Sequence, residues 1–245
     1  MNPVEFAVSL LAPHRCIVCK QEGAPVCRYC ATATFKGVRP SCYRCGIASA
    51  QFATCETCQH RSPLVNAWVG THYSGVAKEL IGQLKFQRVK AAAQVVACFL
   101  DECLPRLPPN ILISPIPTAN TRIRMRGYDQ ASLIARALAY RRNVPYIEVL
   151  RRTQSTRQVG STRQQRFRQL NNAFGIHNPS RVLGANILLI DDILTTGATV
   201  ETAAKNLHNV GAETVAVAVF ARADDGRLTK PVSSSNTKSD LESHQ

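Results

Sequence analysis

The stretch ILLIDDILTTGAT, residues 187–199, decides how this chain is to be read. Four apolar residues run into two adjacent aspartates, Asp191 and Asp192, and then into a loop of small, hydroxyl-bearing residues around Gly197. The apolar run predicts a buried strand over 185–192. The pattern after it predicts a helix over 198–210, with Val200, Ala203, Leu207 and Val210 facing inward and Gly211 closing it. Strand, small-residue loop and helix in this order form the place where open parallel sheets hold ligands. The amides of Thr195, Thr196, Gly197, Ala198 and Thr199 would meet an anion at the positive end of that helix. The threonine hydroxyls add donors, and Gly197 lets the backbone come close. No lysine follows the glycine as in a Walker A loop, and the dinucleotide spacing G-x-G-x-x-G is absent. Carboxylates beside such a cup would repel phosphate but accept hydrogen bonds from hydroxyls. Paired aspartates elsewhere often only cap a helix. Between an apolar run and TTGAT they point to a phosphate and a vicinal diol held together, which is ribose 5-phosphate.

Outward from this stretch, strands and helices alternate as in an α/β domain. Strands are predicted over 64–73, 110–117, 145–152 and 214–220. Helices are predicted over 76–86, with Val76, Leu80 and Leu84 on one face, over 89–104, and over 129–141. This unit spans 64–222. An arginine-rich stretch, 153–169, interrupts its rhythm. Residues 223–245 are polar and serine-rich, the composition of a disordered tail.

Ahead of it, residues 1–63 form a module too small for a good apolar core. Eight of the ten cysteines fall there in four C-x-x-C pairs: Cys16 and Cys19, Cys27 and Cys30, Cys42 and Cys45, Cys55 and Cys58. Without an export signal these read as two four-cysteine zinc sites rather than disulfides, with a redox dithiol or an iron–sulfur cluster as the other readings. Sequence proximity joins the first two pairs and the last two, and an interleaved pairing fits equally well. Gly46 permits the left-handed turn a knuckle uses. Cys98 and Cys103 lack such spacing and are expected to be buried thiols.

The formal charge is +14, from 30 basic and 16 acidic residues. Two four-thiolate zinc sites would lower it to about +10. That favours polyanions: nucleic acid, phosphorylated small molecules or an acidic partner. Hydrophobic residues make up 45%, which excludes global disorder. No apolar run approaches the roughly 18 to 20 residues of a membrane span, and the N-terminus lacks a basic leader; the expected location is the cytoplasm. Tyr29, Tyr43 and Phe52 could stack on single-stranded nucleic acid, but packing in a small module is the simpler use.

The string 187–199 resembles the thirteen-residue phosphoribosyl pyrophosphate (PRPP) motif of type I phosphoribosyltransferases. With the four knuckles, LKF (84–86), SPIPTANTRIRMRGYDQASLIA (114–135), TQSTRQVGSTRQQR (153–166) and NNAF (171–174), the chain resembles the ComF/GntX family from Cys16 to Arg222. That resemblance implies a zinc-ribbon module on a type I phosphoribosyltransferase fold, a mainly parallel sheet flanked by helices. It implies that Asp191 and Asp192 hold the ribose hydroxyls and Thr195 to Thr199 the 5-phosphate. Arg122, Arg124 and Arg126 would face the pyrophosphate, whose charge Mg²⁺ shares. The 153–169 stretch would be the loop that closes over the reaction centre, with Arg157 and Arg163 as its candidate catalytic arginines. Gln169 stands where the family has asparagine. ComF-type proteins are associated with natural transformation, so single-stranded DNA and other DNA-uptake proteins are implied partners. Two functions follow: phosphoribosyl transfer from Mg–PRPP to an acceptor the sequence does not name, or DNA handling with the PRPP site kept as a sensor or structural ligand.

Overall fold

The computed structural model describes residues 13–153 and 173–223. Arg157 and Arg163, and the predicted tail beyond Ala223, lie outside the described residues. The centre is a parallel sheet of four strands, β1 (Ala67–His72), β2 (Ile111–Pro115), β5 (Asn186–Leu194) and β6 (Thr214–Arg222), in the order β1-β6-β5-β2. β5 and β6 occupy the middle. Their runs NILLI and TVAVAVF are apolar at every second position on both faces, as a strand covered on two sides requires.

Alternation along β5 sorts the core. Leu188 and Ile190 face one layer with Ala218 and Phe220; Ile187 and Leu189 face the other with Val217 and Val219. The first layer holds α3 (Gly75–Phe86), α4 (Ala91–Cys103) and α6 (Gln130–Arg142); the second holds α7 (Ala198–His208). α5 (Asn120–Arg126) links β2 to α6 and ends at Gly127, whose φ of 84° makes the left-handed cap. Asp129 caps α6 by accepting from the amides of Ala131 and Ser132.

The cysteine module is sewn onto this domain. Phe35, after α1 (Arg28–Thr34), stacks edge-on with Phe99 of α4 and Phe220 of β6, with ring centroids 5.0 and 5.2 Å away. Gly37 bridges to Thr71, so the module covers the β1 edge of the sheet. Gly70 is what this packing needs: a Cβ there would lie 2.9 Å from both the Phe220 carbonyl and the Phe99 ring. Gly70→Ala should therefore cost about 1–3 kcal/mol, read as a lower urea midpoint at unchanged slope. An unaltered midpoint would mean the three rings are not packed as described.

Two expectations change. The predicted strand over 145–152 is a strand only at β3 (Leu150–Arg152), paired antiparallel with β4 (Phe174–Ile176). Ile113 still exchanges hydrogen bonds with this segment, donating to Pro145 and accepting from Ile147. Val149 then donates to the Ser114 hydroxyl instead of a backbone oxygen, at 3.3 Å. β2 ends in Pro115, which has no N–H to continue the ladder, so the chain leaves the sheet and turns into the hairpin. The second change is that Cys103 is exposed and Cys98 half-buried. Cys98 lies in the second half of α4 and Cys103 at its end, both off the stripe formed by Ala93, Val96, Ala97 and Leu100.

Candidate functional site

The stretch 187–199 folds as strand, loop and helix, with one difference from expectation. β5 runs through both aspartates to Leu194. Strand pleating sends Asp191 and Asp192 to opposite sides of the sheet. Asp192, 4% exposed, meets α3, where Lys85 Nζ lies 2.8 Å from its Oδ2. Asp191 faces the β3 side. Burial pushes its carboxyl up to about 8, and the neighbouring charges of Asp192 and Asp129 add to this. The Asp192 amide, donating to Asp191 Oδ1 at 2.8 Å, and Lys85 pull the other way.

Arg152 completes this side. Its guanidinium stacks over Phe174, 5.1 Å from the ring centroid, and donates to the Pro117 carbonyl at 3.4 Å. Its pKa falls below the usual arginine value because of burial and the nearby Arg122, while the charge of Asp191 opposes the fall. Arg122, Arg152 and Asp191 thus share one electrostatic neighbourhood. Of the other two candidate arginines, Arg126 stacks over Phe86 at 5.5 Å and donates to Gln130 Oε1 at 2.8 Å. Arg124 is exposed and lies about 200° round the helix from Arg122.

The turn after Pro117 is held by Asp129. Besides capping α6, its carboxylate accepts from the Thr118 amide at 2.8 Å and the Thr118 hydroxyl at 3.0 Å. A cleft of about 330 Å³ opens here, lined by Thr118, Asp129, Ser132, Glu148, Arg152 and His177 among others. A larger hollow of about 580 Å³, at Arg136, Tyr140 and Tyr146, adjoins it through the hydrogen bond of Tyr146 with Ser132 and the ion pair of Arg136 with Glu148.

Beyond Leu194, Thr195 and Thr196 are exposed and Gly197 is buried with φ 80°. Gly197 is the N-cap of α7, and no side chain caps that helix. Ala198 donates to Thr196 Oγ1 only at 3.4 Å. A helix start of this kind presents amides outward, between exposed threonine hydroxyls, as anion sites do.

The structure resolves the cysteine pairing. Cys16, Cys19, Cys27 and Cys30 form one group, and Cys42, Cys45, Cys55 and Cys58 the other, with sulfurs in each within 4.8 Å of one another. A tetrahedral zinc with Zn–S bonds of about 2.3 Å needs sulfurs about 3.8 Å apart. Cys19 and Cys27 lie at 3.7 Å, Cys45 and Cys55 at 3.5 Å, and none is in a disulfide. Both groups could hold zinc. They are built alike. A tight knuckle carries the first pair, and the second pair sits at the start of a short helix, α1 or α2 (Glu56–Gln59), whose N-caps are Cys27 and Cys55. Helix N-termini favour thiolates. The knuckle's left-handed position is Gly46 (φ 78°) in one and Lys20 (φ 64°) in the other. Lys20 tolerates it while its ammonium donates to the Ile17 carbonyl at 2.9 Å. Burial opposes ionisation of Cys16, but the amides of Cys19, Cys27 and Val18 outweigh it and bring the thiol down to about 6.

Lys85, Asp129 and Arg152 are site residues that sequence patterns alone did not single out. Lys85 had a signal: it continues the buried stripe Ala77, Ile81 of α3, where a lysine needs an anionic partner. Arg152 had none, because its place depends on the β3–β4 hairpin.

A parallel sheet flanked by helices, with strand, loop and helix joined at the carboxyl end of β5, is the arrangement of a phosphoribosyltransferase fold. Residues 121–243 match the phosphoribosyl transferase domain family, and the chain belongs to that family. It is 30% identical over 229 residues to the DNA utilization protein YhgH of Salmonella typhimurium, covering 85% of this chain and 96% of that protein. It is 28% identical over 197 residues to competence protein F of Haemophilus influenzae, covering 75% and 85%. Competence protein ComFC of Bacillus subtilis is 28% identical over 199 residues, covering 76% and 79%. All three relatives match along most of the chain, in keeping with the resemblance to the ComF/GntX group. Among the described residues no helix is long and apolar enough to cross a membrane.

Proposed function

We propose that this chain binds Mg–PRPP at the end of β5 and acts in DNA utilisation, as its relatives' names suggest for them. The observation that carries the reading is the start of α7, capped by no side chain and following directly on the strand that bears Asp191 and Asp192. Amides and threonine hydroxyls from Thr195 to Thr199 suit the 5-phosphate. Asp191 suits the ribose hydroxyls, whose donors would replace its proton, while Asp192, on the other face, would reach the same sugar only by giving up Lys85. Arg122 and Arg152 suit the pyrophosphate, with Arg124 and Arg126 nearer the rim; Mg²⁺ would share that charge. Both cysteine groups hold zinc in this reading, as structural sites with no open ligand position. Phosphoribosyl transfer asks for little more than this positioning and charge neutralisation, and an acceptor with a nucleophilic nitrogen.

Titration calorimetry with Mg–PRPP tests it. Wild type should bind, and Asp191→Ala/Asp192→Ala should lose at least about tenfold in affinity, the worth of one charged hydrogen bond. Equal heats from both proteins would refute the site. The second reading, single-stranded DNA binding with PRPP as sensor, is favoured by the +14 charge. Of Tyr29, Tyr43 and Phe52, Tyr29 is 83% exposed and could stack, whereas Tyr43 and Phe52 pack against the domain.

A further inference from the structure

The second cysteine knuckle touches the phosphate loop directly. Tyr43 lies between Cys42 and Cys45 and is 6% exposed. Its ring carbons Cδ2 and Cε2 are 3.4 Å from where a Cβ on Gly197 would stand, so the loop's backbone packs against the ring. Its hydroxyl donates to Glu201 Oε1 at 2.9 Å and meets Ser62 Oγ at 2.7 Å. The next residue, Arg44, places Nε 3.2 Å from the same Glu201 oxygen. The Tyr43 carbonyl accepts from Arg222 at the end of β6, at 2.9 Å.

Glu201 is the reason this matters. It stands in the first turn of α7, the helix whose N-terminus forms the phosphate cup. An unneutralised carboxylate there would oppose a phosphate dianion across the same turn, cancelling part of what the helix end offers. Nothing in α7 itself neutralises it; the partners come from the knuckle.

Resting on the reading of Thr195–Thr199 as a phosphate site, we propose that Tyr43 and Arg44 are positioning residues of that site. Arg44 cancels the charge of Glu201, and Tyr43 turns that carboxylate towards the module while backing the loop at Gly197. The cysteine module is then part of the ligand site's architecture, not an appendage beside it. The ligand class it serves is a phosphate monoester on a sugar, since the contact reaches the 5-phosphate loop and none of the pyrophosphate-facing residues.

The test uses the full-length, metal-loaded protein and two probes, ribose 5-phosphate and inorganic pyrophosphate. Arg44→Gln should weaken ribose 5-phosphate binding about five- to tenfold and leave pyrophosphate binding unchanged. Adding Glu201→Gln to Arg44→Gln should restore ribose 5-phosphate affinity, because the repelling charge is gone; a merely structural role for Arg44 gives no such rescue. Tyr43→Phe keeps the ring, and should speed amide hydrogen exchange at residues 195–201 without loss of bound metal. Failure of wild type to bind ribose 5-phosphate would overturn both the phosphate-site reading and this inference. Binding by wild type with equal affinity in Arg44→Gln, or no rescue by Glu201→Gln, would overturn the inference alone.

Discussion

Asp191→Asn is expected to make the ligand-free protein more stable at pH 8, by about 1–3 kcal/mol, while removing sugar-phosphate binding. The sign follows from where the proton sits. The carboxyl ionises near 3.8 when unfolded and near 8 in the folded chain, so between those values the folded state holds the extra proton. As the pH rises through this window the unfolded chain releases its proton while the folded carboxyl keeps it, so stability falls until about pH 8, where the loss levels off. Asparagine keeps an oxygen to accept from the Asp192 amide and carries no charge to desolvate. The stability gap between variant and wild type should therefore widen from pH 5 to pH 8, measured by urea unfolding at each pH. Parallel profiles would show that Asp191 is not the strained group described above. The same imbalance has a functional side: ribose hydroxyls would donate to the ionised carboxylate, so binding should tighten as pH rises towards 8.

Removing metal should have the larger structural effect. The purified chain should carry two zinc ions, and stripping them should lower the thermal midpoint on the order of 10–20 °C. Four thiolates within 4.8 Å repel without a cation between them. Their clusters also anchor apolar residues: Cys16, Cys30, Val26 and Phe35 belong to the same core as α3, α4 and Phe220. Loss of the first cluster thus reaches the sheet, and loss of the second reaches Gly197 through Tyr43. Elemental analysis and a thermal scan before and after chelation decide it. Metal content well under two per chain, or an unmoved midpoint after stripping, would contradict the four-thiolate sites.

Much of the central domain was legible because its signals are local. An apolar run closing on DD and TTGAT needs a strand, a loop and a helix whatever surrounds it, and β5 and α7 form there. The same holds for α3 with Leu80 and Leu84, and for β6. The segment 145–152 misled because its composition is that of a strand, while its pairing was decided by a proline in a different strand. The cysteine spacing announced two metal sites but left their pairing open. Both pairings satisfy spacing, and only the fold of two like knuckle-and-helix units chooses the sequential one.

What the sequence determined, then, is the kind of grip: the aspartates, the hydroxyl-rich loop, the eight thiols and the positive charge that suits a polyanion. These depend on residue type and near neighbours. The tertiary structure decided who stands opposite whom. It set Asp191 towards Arg152 and Asp192 against Lys85, residues 39 and 107 positions before their partners. It also set Tyr43 on Gly197 and Arg44 on Glu201. Contacts of that span are set by how layers pack and where charges are desolvated, and no window of sequence contains both sides of them.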